Sequence, residues 1–222
     1  KEVVQVLNNH AFAHRYNIHW IGDLDNQGNH QILPSNYGIE GITATPLQLS
    51  DFDHCHKYTI VAENRRQSTS DCVILDSMRG KTYQEQLAII SRCVKTVSIA
   101  ECIADFDQDS WGLSGLNDRC AVFNKKIEVT AEQNIVKVCK KTTTNIKGSR
   151  ITVDKSIQPH LRTKVGEHNK LYEYAFFTTV DAAQGATHSG KLFIDVRGMD
   201  RQNLLYTAVT RCTKLSNVRL VI

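Results

Sequence analysis

The apolar run Lys191-Leu192-Phe193-Ile194-Asp195-Val196, the segment 200–211 with Leu204-Leu205-Tyr206-Thr207-Ala208-Val209 inside it, and the terminal Val218-Arg219-Leu220-Val221-Ile222 together decide the fold class. The first and last are short, largely apolar runs of the length of buried strands, with Asp195 in one and Arg219 in the other, and the middle segment reads as a helix. Two strands separated by a helix lie parallel, because a crossover is needed to return the chain to the start of the next strand. Helices then cover both faces of the sheet, which is why its strands read as largely apolar runs rather than strictly alternating ones.

Working outward from that unit, the pattern recurs. Thr82-Tyr83-Gln84-Glu85 is a capping-box sequence, and Tyr83, Leu87, Ile90 and Val94 share one face of the helix it opens. Cys120-Ala121-Val122-Phe123 reads as a strand before an amphipathic helix carrying Ile127, Ala131, Ile135 and Val138, and 172–177 reads as another strand. Further upstream, Asn17-Ile18-His19-Trp20-Ile21 is a strand ending at Gly22-Asp23, 24–57 is loop with Pro34 and Pro46, and Tyr58-Thr59-Ile60-Val61-Ala62 is a second strand. The expectation is an α/β chain with a mainly parallel sheet flanked by helices.

At 222 residues the chain is long enough to bury a substantial core, and 41% hydrophobic with 23% charged residues is ordinary for a globular domain. No apolar run approaches the ~20 residues of a membrane span, so a membrane role is not expected. The opening Lys1-Glu2-Val3-Val4-Gln5-Val6 has neither a leader pattern nor an initiator methionine, and reads as part of a longer protein. Seven cysteines without paired spacing suggest reduced thiols and an intracellular location. The net charge of +4 is unevenly distributed: Lys137, Lys140, Lys141, Lys147, Arg150, Lys155, Arg162, Lys164 and Lys170 face few acids besides Asp154 and Glu167. Such a stretch is either a solvated basic face or a surface for a phosphate backbone.

Two stretches imitate a phosphate-binding loop, which needs a glycine-rich turn between a strand and a helix. In Gly185-Ala186-Thr187-His188-Ser189-Gly190-Lys191, Leu192 stands where a magnesium-holding hydroxyl belongs, and a strand follows instead of a helix. In Arg79-Gly80-Lys81-Thr82, Leu75 stands in place of the first glycine and the preceding residues look helical. Neither is expected to hold nucleotide phosphates.

The stretch Thr178-Thr179-Val180-Asp181-Ala182-Ala183-Gln184-Gly185-Ala186-Thr187 is followed, after a strand and a loop, by Leu205-Tyr206-Thr207-Ala208-Val209-Thr210-Arg211. This pair resembles motifs V and VI of superfamily 1 helicases of the RecD-like and UvrD-like kind: a T-x-x-x-x-Q-G-x-T loop and a Y-T-A-x-T-R helix. By that resemblance Arg211 stabilises charge on a γ-phosphate during phosphoryl transfer. Read alone, it is an arginine at a helix C-terminus, favoured by the dipole. The resemblance also implies that Gln184 and Gly185 lie at the nucleotide and that Thr179 and Thr187 meet the DNA backbone, with Gly185 allowing close approach.

Weaker matches precede these in the helicase order. Gly22-Asp23 with Pro34 resembles motif III; Asn26 stands where its glutamine belongs, so Gln27, or Gln31 by a longer insertion, takes the coupling role. Glu63-Asn64-Arg65-Arg66-Gln67 resembles motif IV, with Arg66 as the phosphate-sensing arginine and Arg65 as its competitor. The resemblance implies the C-terminal RecA-like motor domain, spanning 1–222, of an ATP-dependent DNA helicase from a source such as a large DNA virus. It would use ATP and Mg2+ in the full-length protein with an N-terminal RecA-like domain as partner. Single-stranded DNA is the substrate, and the chain alone is expected to bind no cofactor and to be inactive. A basic, hairpin-like insertion is expected at 140–172, with Lys155, Arg162 and Lys164 on DNA.

Three rivals stay open. One is a nucleic-acid-binding or homo-oligomerising module with no motor role, and another is an RNA helicase of the same superfamily. The third is a metal protein built on Asp53-His54-Cys55-His56, although adjacent residues converge poorly on one tetrahedral ion.

Overall fold

The computed structural model describes residues 66–162, 170–201 and 203–222. In chain order the helices are α1 (Thr69–Met78), α2 (Tyr83–Ile90), α3 (Ile99–Asp105), α4 (Asn117–Thr130) and α5 (Leu204–Val209). The strands are β1 (Lys95–Val97), β2 (Trp111–Ser114), β3 (Asn134–Val138), β4 (Arg150–Val153), β5 (Tyr172–Tyr174), β6 (Phe177–Thr179), β7 (Leu192–Asp195) and β8 (Val218–Val221).

Five strands form one sheet in the order β1-β8-β7-β2-β6, with every neighbouring pair parallel. Side chains alternate across it as a strand requires: Leu192 and Ile194 enter a core with Leu75, Met78, Ile90, Leu205 and Val209, while Phe193 enters the opposite core with Phe123, Ile127, Phe176 and Phe177. Helices therefore cover both faces, α1, α2 and α5 on one and α3 and α4 on the other. This is the expected α/β architecture, consistent with the RecA-like fold that the motif resemblance implies.

Local sequence explains the helix starts. Thr82 caps α2 and Ser98 caps α3, each with a reciprocal bond from Glu85 or Glu101 three residues on. The cap bonds hold both carboxylates below the usual range, the backbone N–H of Thr82 or Ser98 contributing most.

Several expected elements move. Cys120-Ala121-Val122-Phe123 is helical, inside α4: Cys120, Phe123, Asn124 and Ile127 are buried at helical spacing while Val122 and Val129 are exposed. Ile135 and Val138 belong to β3 and not to that helix, since α4 ends where Ala131 turns extended. A strand buried along its length mimics helical spacing wherever the intervening residues are apolar too. The 200–211 helix shortens to α5, entered through Asn203 in the left-handed region at φ 58°. The 172–177 strand divides: β5 serves one sheet, and after Ala175 and Phe176 the chain passes into β6 of the other. The strands expected at 17–21 and 58–62, and the loop between them, lie outside the described residues.

The second sheet is antiparallel, in the order β4-β3-β5. It contains a hairpin, β3–β4, whose first strand lies in the segment expected to be helical, and its strands run from Asn134 to Tyr174, beyond the 140–172 bounds expected of an insertion. Ile135 and Tyr174 pack into the core beneath Phe176 and Phe177, so the small sheet is seated on the large one.

Candidate functional site

Arg211 follows α5, a helix whose six residues are all buried. It is itself only 8% exposed. Its Nε donates to Thr207 O (3.1 Å), Nη1 to Ala186 O (3.3 Å) and Nη2 to Thr210 Oγ1 (3.0 Å). The last carbonyls of a helix lack intrahelical partners, and a guanidinium folded back over them supplies donors.

Residues far away in sequence complete this turn. Arg66 Nη1 donates to Thr210 O at 3.0 Å, and Gln67 Nε2 donates to Thr210 O at 3.1 Å and to Cys212 O at 2.8 Å. His188 N donates to Arg211 O at 2.7 Å, and Thr213 N returns a bond to His188 O at 2.9 Å. Arg66 and Gln67, the described residues of the 63–67 segment, thus meet the 178–187 and 205–211 segments at one turn. Gln67 had no assigned role; an amide in a polar turn carries no signal of its own, and only the fold brings it to these carbonyls.

The 178–187 loop begins at the carboxyl end of β6. Thr178 Oγ1 accepts from Trp111 Nε1 at 3.0 Å, and Thr179 Oγ1 accepts from Ala182 N at 3.3 Å, opening a 3-10 turn at Asp181–Ala183. Arg201 Nη2 meets Asp181 Oδ1 at 2.6 Å. Gly185 lies at φ +82°, where a side chain would be strained, with open space beside its Cα; Gln184 and Thr187 are exposed. The loop ends at His188, beside Trp111 and Lys191 at the amino-terminal edge of the sheet. Thr179 and Arg211 therefore sit at opposite edges, joined by this loop.

Both phosphate-loop imitations have other employment. Lys191 precedes β7 and pairs with Asp105 (2.7 Å) and Asp107 (3.0 Å). Arg79-Gly80-Lys81-Thr82 joins two helices, with Thr82 as a cap.

Of the basic candidates, Lys155 Nζ donates to Glu128 O, and Arg162 lies 3.8 Å from Glu173, which also meets Lys137 at 3.7 Å. Both side chains serve internal contacts. Lys164, Gln27 and Arg65 lie outside the described residues, as does the Asp53-His54-Cys55-His56 cluster. Among the described residues no His, Cys, Asp and Glu group has metal-binding geometry, and no helix is long and apolar enough to cross a membrane. The six described cysteines are free, and burial pushes the Cys102 thiol up to about 12. Trp111, Tyr174, Phe176 and Phe177 are core residues.

One charged hub had no motif to announce it. Asp195, fully buried at the end of β7, receives Arg119 Nε at 2.9 Å and Arg197 Nε at 2.8 Å, with Ser114 Oγ at 3.4 Å. It fastens the loops after β2 and β7, where Gly115 and Gly198 pass so closely that a Cβ on Gly115 would lie 2.0 Å from Gly198 O.

No protein-family model matches the chain, and no curated protein matches it. Among solved structures it is similar to the crystal structure of Pif1 helicase from Candida albicans, at 20% identity over 23% of this chain and 12% of that one, with a TM-score of 0.22. An overlap so short and loose assigns neither fold nor activity.

Proposed function

We propose that this chain is the second, RecA-like motor domain of a superfamily 1 DNA helicase. In this reading it supplies Arg211 and Arg66 to ATP held by a partner motor domain, with Mg2+, and binds single-stranded DNA through the 178–187 loop. The observation that carries the reading is the convergence of Arg66, Ala186 and Arg211 on one turn, because those segments are the ones that resemble motifs IV, V and VI.

The arrangement supplies a route for coupling. The bonds of Arg211 described above end on neutral oxygens, and phosphate oxygens form stronger, charge-assisted bonds with a guanidinium. Rotation of Arg211 toward a phosphate releases Ala186 O, and with it the loop that begins at Thr179. A nucleotide-dependent change at one sheet edge then reaches a strand contact at the other.

The same geometry favours a second reading, in which Arg211 is a strut that staples the loop to α5. ATP hydrolysis by the complete protein separates the two. Arg211→Ala should lower kcat by roughly a thousandfold or more with a smaller change in KM for ATP, the scale of an arginine that stabilises phosphoryl transfer. Arg211→Lys should recover little, since an ammonium lacks the planar fork. A lowered melting temperature with turnover intact would leave only the strut.

A further inference from the structure

The start of α1 is clipped over the segment 210–215. Arg66 Nη1 and Gln67 Nε2 both donate to Thr210 O, at 3.0 and 3.1 Å, and the same Gln67 nitrogen donates to Cys212 O at 2.8 Å. One turn further along, Asp71 Oδ2 accepts from Leu215 N at 3.2 Å. Ser68 caps the helix through Asp71 N, and Cys72 N donates to Ser68 O, so the residues that reach across stand on a formed turn.

Gln67 has the chemistry this position calls for. Its carboxamide carries two N–H donors on one nitrogen, one for each of two carbonyls, and no charge. The two carbonyls it takes lie on either side of Arg211 in the chain, and the carbonyl between them, that of Arg211 itself, accepts from His188 N. Three successive carbonyls are thus fixed from outside the helix. The backbone of Arg211 is held, while its guanidinium ends on oxygens of Thr207, Ala186 and Thr210.

Thr210 O receives donors of two kinds, a cation from Arg66 and a neutral amide from Gln67. Thr210 is only 8% exposed, and a buried carbonyl is costly to leave without a donor. When Arg66 turns toward a phosphate, the amide stays.

We infer that Gln67 is a positioning residue for the proposed reaction: it holds the backbone on both sides of Arg211 and keeps Thr210 O bonded when Arg66 moves to the nucleotide. It acts through the two arginines and touches no reacting atom. The inference rests on the motor reading above.

The test is steady-state ATP hydrolysis by the complete protein, with Gln67 variants made alone and combined with Arg211→Ala. Gln67→Met keeps the length of the side chain and removes both donors. It should lower kcat about tenfold, the scale of one or two neutral hydrogen bonds lost in the transition state, with KM for ATP within about twofold of the parent. Gln67→Glu should lower kcat further, since a carboxylate only accepts and draws the nearby guanidinium groups into ion pairs away from phosphate. In the Arg211→Ala background, Gln67→Met should lower kcat by less than about threefold, because most of what it positions is gone. Asp71→Ala cuts the neighbouring tie of the same helix; it should lower the melting temperature and leave kcat as in the parent. An equal loss of kcat in Asp71→Ala, or the full tenfold loss in the Arg211→Ala background, would make Gln67 a structural tie and overturn the inference. Parental turnover in Gln67→Met overturns it too, and a drop in Arg211→Ala then keeps the motor reading standing. Normal turnover in Arg211→Ala removes the motor reading itself, and this inference with it.

Discussion

His188 occupies the point where the 178–187 loop is tied to the arginine turn. Its backbone exchanges bonds with Arg211 and Thr213, its ring packs edge-on against Trp111 at 5.8 Å, and Nε2 lies 3.1 Å from Lys191 O. Burial, and after it the Arg150 cation, hold this imidazole below its usual pKa. The unfolded chain then takes up a proton at a higher pH than the folded one does. The stability this group contributes is fully present above about pH 6.5, the unfolded value, and is lost as pH falls through the lower folded one. Thermal unfolding at pH 7.5 and 5.0 should show a smaller pH-dependent drop in His188→Gln than in the parent. An equal drop in both would place the acid sensitivity elsewhere. Arg211 shows the complementary lesson at the same scale: its residue type and place after a helix are readable from sequence, but its folded-back conformation is set by the carbonyls it reaches.

Among the elements, β2 shows how tertiary packing overrides local propensity. Trp111-Gly112-Leu113-Ser114 is short and has a glycine in its interior, which weakens a strand and hid this one. Glycine is there because the Phe177 ring lies where a side chain would be: a Cβ on Gly112 would sit 2.1 Å from it. That ring stacks on Phe123 at 4.1 Å between centroids, so it cannot step aside without disturbing α4. Gly112→Ala should therefore destabilise by about 2–4 kcal/mol, measured by urea unfolding. A variant as stable as the parent would mean that the β2–β6 edge accommodates the methyl group by shifting. The helices divide in the same way. α2 was legible from its capping box and one-sided apolar face, whereas α4 was displaced because β3 directly after it continued an apparently helical spacing.

For the molecule as a whole, the consequential feature is that two sheets share one support. Arg150, at the start of β4, is half-buried, donates to carbonyls at Ala175 and Ser110 and stacks over Trp111; desolvation there lowers its pKa to about 10. Arg150→Ala leaves those carbonyls and the Trp111 face without their partner, and should cost about 2–4 kcal/mol in urea unfolding. Arg150→Lys should restore only part of that, because one ammonium cannot span both carbonyls in the geometry of a guanidinium fork. Hydrogen exchange should quicken in β3 and β4 more than in β7 and β8. Uniform quickening would mean that the two sheets unfold as one unit and that the strut is not what joins them.

The sequence by itself determined the class of fold. Largely apolar runs around 192–195 and 218–221 with a helix between them are the pattern of a parallel, helix-covered sheet, and the capping box at Thr82 is local chemistry that needs no tertiary context. It also marked the 178–187 and 205–211 segments, whose residue types and order are local facts. Only the tertiary structure decided which polar groups meet: that Arg66 and Gln67 close the turn before and after Arg211, that Asp195 gathers two arginines, and that Lys155 and Arg162 turn inward while Lys140, Lys141 and Lys147 face solvent. The physical reason is range. Helix caps and apolar periodicity act over a few residues, whereas a hydrogen bond between side chain and carbonyl across about 140 positions exists only once the sheet order has brought both ends to one place.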